Sequence, residues 1–154
     1  MAILPEERRE NIVRSLYGHI ETNYTLTEKW FGDSNVLDTT TLTEWVEFNV
    51  LSATEQFMRQ VTESNLGALT SLLLHVLIYQ RPTTAIMRVH LIRDTITNLL
   101  RRASIQVSDY VGGGPALGKV VGEGLMVDAF AGRERDVSRY ALTFRFRYLA
   151  EYSS

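Results

Sequence analysis

The last stretch of the chain alternates between large apolar side chains and a second set that is mostly polar or charged. Residues 139–152 read RYALTFRFRYLAEY, and their even positions hold Tyr140, Leu142, Phe144, Phe146 and Tyr148. The odd positions hold Arg139, Thr143, Arg145 and Arg147. Successive side chains of a strand point to opposite faces of the sheet. The segment therefore predicts a strand with one face in a core and an arginine-bearing face directed away from it.

Two other segments carry apolar residues at helical spacing. The first covers residues 6–22, with Ile12, Leu16 and Ile20 among its apolar positions. The second starts after Pro82 and covers residues 83–103, with a stripe that includes Ile92 and Ile96. We expect Arg101 and Arg102 in its last turn, where cations meet the negative end of the helix dipole.

The remaining apolar segments predict strands. Residues 41–52 alternate, residues 69–80 are apolar on both faces, and residues 105–110 and 120–130 are shorter candidates. Trp30 and Phe31 interrupt a polar, threonine-rich stretch and are expected to anchor that loop to the core. The 154 residues predict a single α+β domain of two helices against a mostly antiparallel sheet of about five strands, in the order α-β-β-α-β-β-β.

Composition argues against several classes of protein. Hydrophobic residues make up 45% and charged residues 22%, as in ordinary globular domains, and the net charge of −2 marks no nucleic-acid or membrane binder. The absence of cysteine excludes disulfides and thiolate metal sites. The amino-terminal residues show no apolar stretch typical of a secretory signal, so we expect a cytoplasmic product or one assembled there.

Motifs for catalysis are weak. Gly113 to Lys119 has the spacing of a phosphate-binding loop, but Val120 follows the lysine where that loop has serine or threonine, and the next residues predict a strand. His19, His75 and His90 show no metal-ligand spacing, and we expect His75 to be a hydrogen-bonded core residue. We expect no enzyme, no cofactor and no metal.

The order of elements resembles the tail terminator proteins of long-tailed phages, of the lambda terminator type. The resemblance rests on the amino-terminal helix, the strand WVEFNVLSATEQF, the apolar strand LLLHVLIYQRP running into a helix, and the final hairpin VDAFAGRERDVSRYALTFRFRYLAEY. It covers most of the chain. The threonine-rich residues 25–43 and the glycine-rich residues 112–118 depart from the family pattern, which leaves head-closure and tail-completion proteins as alternatives.

The resemblance implies a structural virion protein at the head–tail junction, assembled in the host cytoplasm. Such a protein forms a homohexameric ring that caps the tail tube, ends its polymerisation and meets the head-side connector. The implied partners are other copies of the chain, the major tail tube protein and the connector, with genomic DNA passing through without specific binding and no membrane involved. The competing class is a small-molecule-binding α+β domain.

The arginine face has three interpretations. Arg139, Arg145 and Arg147 could pair with Glu44 and Glu47 of a neighbouring subunit, remain solvated, or line a channel for DNA. Phe57 and Arg59, in the connection after the first predicted strand, are further candidate interface residues. We expect the segments around residues 57–64 and 112–118 to become ordered only against a partner ring.

Overall fold

A single six-stranded sheet runs through the whole domain of the computed structural model. The structure describes residues 5–32, 37–57, 68–82, 87–114 and 116–150, without the side chains of residues 5–8, 52–57, 68–70 and 150. The elements in chain order are α1 (Pro5–Asn23), β1 (Glu28–Phe31), β2 (Glu44–Phe57), β3 (Ala68–Gln80), α2 (Arg88–Leu100), β4 (Ser104–Val107), β5 (Gly118–Glu134) and β6 (Val137–Ala150). The order across the sheet is β1-β2-β3-β6-β5-β4.

All strand pairs are antiparallel except β1 with β2. The predicted α+β class is confirmed, with one strand more than expected. The additional strand is β1, which contains Trp30 and Phe31 and pairs in parallel with β2. Both residues therefore belong to the sheet, and Phe31 stacks on Phe48 with ring centroids 5.7 Å apart.

The core lies between one face of the sheet and both helices. Even-numbered residues of β3 and β6 fill its centre, where Leu74 pairs with Phe144 and both are fully buried. From α1 the core receives Ile12, Leu16 and Ile20, and from α2 it receives Ile92, Ile96 and Leu100. The apolar face predicted for the last strand is thus confirmed, because its aromatic residues occupy one continuous core cluster.

The second helix ends earlier than the sequence pattern predicts. It stops at Leu100, so Arg101 and Arg102 lie just beyond it instead of in its last turn. The chain then enters β4, and the amide of Gly122 donates to the carbonyl of Ala103 at 2.8 Å. The end of α2 consequently rests directly on β5.

A salt-bridged cluster fixes the middle of α2 against the β5–β6 hairpin. Arg93 of α2 contacts Asp128 of β5, whose carboxylate also accepts a hydrogen bond from Tyr140 of β6. The Arg93 guanidinium holds the pKa of Asp128 below its usual range, and the hydrogen bond to Asp128 raises the pKa of Tyr140. Three elements are joined by this one carboxylate.

The glycine-rich loop between β4 and β5 is tied down within the single chain. The side-chain oxygen of buried Asn11 accepts from the amides of Tyr110 and Val111, at 2.8 and 3.2 Å. The carboxylate of Asp109 accepts from the amides of Gly112 and Gly114, at 2.7 and 3.2 Å. Residues 112–114 thus have hydrogen-bond partners within one chain, and their ordering against a partner ring stays a prediction, while residues 58–67 lie outside the described part of the chain.

Gly122 provides the most sensitive test of this packing. A methyl group there would lie 2.5 Å from the carbonyl oxygen of Leu100 and 2.8 Å from that of Arg101, and backbone cannot yield as a side chain would. We expect Gly122→Ala to lower the free energy of unfolding by about 1–3 kcal/mol, measured by urea denaturation.

Gly18→Ala is the matched control. Gly18 lies within α1, and the nearest atom to an added methyl is the Tyr110 hydroxyl at an ordinary 3.8 Å. Since alanine suits a helix interior better than glycine, we expect a gain of about 0.5–1 kcal/mol. Equal effects of the two substitutions would contradict the close packing of α2 on β5.

Candidate interface on the open face of the sheet

The second face of the sheet carries no described helix, and we call it the open face. It is formed by residues in register with the odd positions of β3 and β6: Trp45, Glu47 and Asn49 of β2, Leu73, His75, Leu77 and Tyr79 of β3, and Arg139, Ala141, Thr143, Arg145 and Arg147 of β6. None of these side chains belongs to the core cluster. The apolar side chains of the face are only partly accessible in the single chain: Trp45 and Ala141 are buried, and Leu73, Leu77 and Tyr79 are half-buried.

An aromatic stack lies at one end of the open face. The rings of Trp45 and Tyr79 are parallel to within 11°, with centroids 5.3 Å apart, and the guanidinium of Arg81 lies 5.4 Å from the Trp45 ring. The Tyr79 hydroxyl donates to one carboxylate oxygen of Glu47 at 3.0 Å, and Asn49 donates to the other at 2.7 Å. These contacts hold Glu47 in a fixed position on the face.

The environment of Tyr79 favours its neutral form. Burial, together with the nearby negative charge of Glu47 and its hydrogen bond, raises the pKa of Tyr79 to about 12. The phenol therefore remains a hydrogen-bond donor to Glu47 throughout the neutral range. Tyr79 and Asn49 together set the geometry of the Glu47 carboxylate.

The arginines of β6 lie where the sequence predicts, on the open face. Arg145 and Arg147 are about half exposed and make only loose contacts with Glu123 of β5, at 3.7 and 3.5 Å. Glu123 is the extra residue of a bulge between Gly122 and Gly124. Such exposed, long pairs contribute little to stability, so both arginines remain available to a partner.

Arg139 differs from the other two. It is partly buried and its Nε has no hydrogen-bond partner. Its position in register with Tyr79 places it near the aromatic stack and the hairpin tip. Among Arg139, Arg145 and Arg147, it is the one whose Nε–H donor is buried without a partner.

Charge is distributed unevenly across the open face. Register places Glu28 of β1 beside Trp45, so the β1–β2 side carries Glu28 and Glu47, with the Arg81 guanidinium over the Trp45 ring as its one described cation. The β6–β5 side carries the three arginines and Lys119, against the carboxylates of Glu123 and Glu134. Neutral β3 separates the two sides, and β2 and β6 are about 10 Å apart because strands are spaced by about 4.8 Å. The face is therefore acidic on one side and basic on the other.

Glu44 and Glu47, both predicted to be interface residues, lie on opposite faces of the sheet. Glu47 shares the open face with the arginines, whereas Glu44 lies on the helix side of the sheet. There Glu44 accepts from the Nε and Nη2 of Arg88 at about 3 Å, which commits its charge within the chain. The reason is the period of two: Glu44 shares a face with buried Val46, and Glu47, three residues later, does not. Arg59 and the side chain of Phe57 lie outside the described residues.

His75 is hydrogen bonded as expected, but it is not in the core. Its Nδ1 lies 3.2 Å from the Thr143 hydroxyl on the open face. The sequence pattern did not identify Trp45, Tyr79 or Glu123 as parts of this surface. Trp45 lies two residues from Glu47 in the same strand, so parity was enough to detect it. The facing of Tyr79 depends on the register between β2 and β3, and that of Glu123 depends on a bulge, and no sequence pattern predicts either.

The described part of the chain shows few features of a metal-binding or membrane-spanning protein. Its residues contain no group of three His, Asp or Glu side chains placed to hold a metal ion. None of its helices is both long and apolar enough to cross a membrane. Lys119, which the phosphate-loop spacing singled out, is the second residue of β5, so the expectation of a strand at that position is confirmed.

Titration of Tyr79 tests the geometry around Glu47. The folded pKa lies above the ordinary value of 10.0, so the neutral phenol contributes stability that is complete below about pH 10 and is lost as the pH rises through about 12. We expect Glu47→Gln to lower the pKa of Tyr79, while burial still keeps it above 10. Carbon-13 NMR of the tyrosine ring, with Tyr79→Phe for assignment, measures the shift.

Tyr24 is the internal control for that titration. Its pKa is also raised to about 12, chiefly by burial, and it lies on the helix side of the sheet near Glu44. We expect Glu47→Gln to leave the pKa of Tyr24 unchanged. An unshifted Tyr79, or equal shifts of both tyrosines, would show that Glu47 does not hold the Tyr79 hydroxyl.

Comparisons with known proteins identify the fold and nothing finer. No protein-family model matches the sequence, and no curated protein is detectably similar to it. Solved structures do share the fold: one chain, whose description states no function, aligns over 99% of its length and 99% of this chain, with a TM-score of 0.57 and 7% identity. At that identity the likeness shows a common architecture alone.

Proposed function

We propose that this protein is a structural subunit of a long-tailed phage, a tail terminator that forms a hexameric ring on the end of the tail tube. The ring would end tube polymerisation and join the tail to the head connector. The observation that carries the proposal is the open face, with its apolar centre and its opposite charges on opposite sides. The order of elements, which resembles that of tail terminators, supplies the family.

The charge distribution suits a surface that meets another copy of itself. A closed ring needs heterologous contacts, in which one patch of each subunit meets a different patch of the next. Glu28 and Glu47 on one side, and Arg145 and Arg147 on the other, provide two such patches. Complementary charges of this kind steer association and fix the register of the contact.

The open face can supply part of each contact in a ring. Five strands spaced by about 4.8 Å give a width of at most about 19 Å, and eleven paired residues of β3 and β6 at about 3.3 Å give a length of about 36 Å. The resulting area of about 700 Å² would serve one standard interface, to which each partner contributes ~800 Å². Each subunit of a ring makes two contacts, so the open face contributes about 350 Å² to each, and other surfaces of the subunit supply the rest.

A contact with neighbouring protein fits the arginines better than a contact with DNA. Glu123 lies between Arg145 and Arg147, and Glu47 and Glu134 occupy the same face. Those carboxylates would repel phosphates while offering hydrogen-bond acceptors to a protein partner. The DNA would pass through the ring without specific contacts, as the resemblance implies.

Head-closure and tail-completion proteins are the neighbouring candidates, since they also assemble at the head–tail junction. Like a terminator, they need a surface whose side chains find their partners only in an assembly. The symmetry of the ring and its binding to tube ends separate them from a terminator.

Charge reversal at the arginines tests the proposal. We expect Arg145→Glu combined with Arg147→Glu to abolish ring formation, because four units of charge change on the surface proposed to meet a neighbour. The melting temperature should change little, since both side chains are about half exposed and loosely paired. Sedimentation velocity measures assembly, and circular dichroism measures the fold.

The matched control is Arg101→Glu combined with Arg102→Glu. These arginines are exposed and lie beyond the end of α2, away from the open face, so the same change of charge should leave the rings intact. A charge-swapped chain carrying Glu28→Arg and Arg147→Glu should assemble better than either single variant. Normal rings from the Arg145 and Arg147 double variant would contradict the proposed interface.

A further inference from the structure

A cleft of about 400 Å³ opens where the end of β3, the start of α2 and the β5–β6 hairpin meet. It lies at the edge of the helix side of the sheet, away from the centre of the open face. Its described lining consists of Ile78, Gln80, Arg81, Pro82, Val89, Phe130, Arg133, Ser138, Arg139 and Tyr140. A cleft of this size accommodates a small organic group.

The charged groups of the cleft are all cations. Arg81, Arg133 and Arg139 line it, and its described lining contains no carboxylate. Arg81 already donates to the carbonyl oxygens of Leu42 and Thr39. The side chain of Arg139 belongs to the open face, whereas Arg133 is exposed and pairs with Ser138 on the helix side, so Arg133 supplies the charged donors that the cleft offers to an anion.

Gln80 supplies a second, independent indication. Only 8% of its surface is exposed, and its side-chain nitrogen is buried without any hydrogen-bond acceptor. Leaving such a donor unsatisfied costs about 1–3 kcal/mol. The terminal torsion of glutamine is soft, so its amide can turn toward an acceptor placed in the cleft.

The start of α2 adds further donors. Met87 at the N-cap position makes no side-chain cap, and the first turn contains no acidic residue. The first amides of a helix lack intrahelical acceptors and carry a partial positive charge. Val89, in that first turn, lines the cleft. The N-terminal end of this 13-residue helix thus favours the same kind of ligand as Gln80 and Arg133.

The remaining wall is apolar. Ile78, Val89 and Tyr140 line it, and Phe130 stands at its edge with 62% of its surface exposed. A hydrated inorganic anion would leave these groups without a partner. We propose that the cleft binds a carboxylate carried on an apolar group, with Gln80, Arg133 and the start of α2 holding the carboxylate against Ile78 and Phe130.

This site belongs to a single subunit, so the proposal does not depend on ring formation. The probe is 3-phenylpropanoate, with 3-phenylpropanamide as the uncharged comparison. In nitrogen-15 NMR titrations we expect saturable shifts of the Val89, Phe130 and Ser138 amides with a dissociation constant of about 1 mM, a reasonable value for eleven non-hydrogen atoms. The amide should bind at least about ten-fold more weakly, since it lacks the charge-assisted hydrogen bonds.

Variants assign the contacts. Gln80→Met should weaken binding about ten-fold or more, yet raise the melting temperature of the ligand-free protein, because it removes a buried donor that has no acceptor. Arg133→Gln should also weaken binding, whereas Arg135→Gln, on the same hairpin but outside the cleft lining, should not. Equal affinity for acid and amide, absence of saturable shifts at these amides, or unchanged binding by the Gln80→Met variant would overturn the proposal.

Discussion

The pairing of β3 with β6 at the centre of the sheet determines which way every other part of the domain faces. Eleven consecutive residue pairs hold the two strands in register, from Thr70 with Tyr148 to Gln80 with Ser138. A shift of one residue would exchange the two faces of a strand. It would bury Arg145 and Arg147 under the helices and expose Phe144 and Phe146. Because the cost of burying those charges is large, this register is strongly specified.

That register determines which face of the sheet the two helices cover and which face stays open. The apolar stripes of α1 and α2 need the aromatic face of β6, so they cover the same side of the sheet and leave the other side without a described cover. The open face then holds the aromatic stack of Trp45 and Tyr79, the fixed carboxylate of Glu47 on β2 and loosely paired arginines on β6. Within one chain, these charged and aromatic side chains have only some of the partners they could have. This is the physical basis for proposing that a second copy of the chain supplies the others.

The sequence predicted what depends on local periodicity. The two faces of residues 139–148, the buried stripes of both helices and the hairpin tip near Arg135 all follow from spacing or turn chemistry, and all are present. It also contained the correct facing of Glu44, because residues 44 and 47 are an odd number apart and must point to opposite faces. The expectation that both glutamates meet the arginines of one neighbouring patch conflicts with this parity.

Other features depend on contacts between distant segments. The four-residue strand β1 is defined by its parallel pairing with β2, and no pattern within Glu28–Phe31 distinguishes it from a loop. The loop at Gly112 is held by Asn11, about a hundred residues earlier in the chain. The cleft beside Gln80 likewise joins β3, α2 and a hairpin tip. Sequence spacing carries no signal for contacts between such distant segments, so only the folded structure shows them.

The central claim is that the open face is covered by another copy of the chain. Native mass spectrometry of the unaltered protein over a range of concentrations tests it most directly. The account predicts a hexamer as the largest discrete assembly, with its population growing as the protein concentration rises. A monomer at every concentration would contradict it, and so would a species that stops at a dimer.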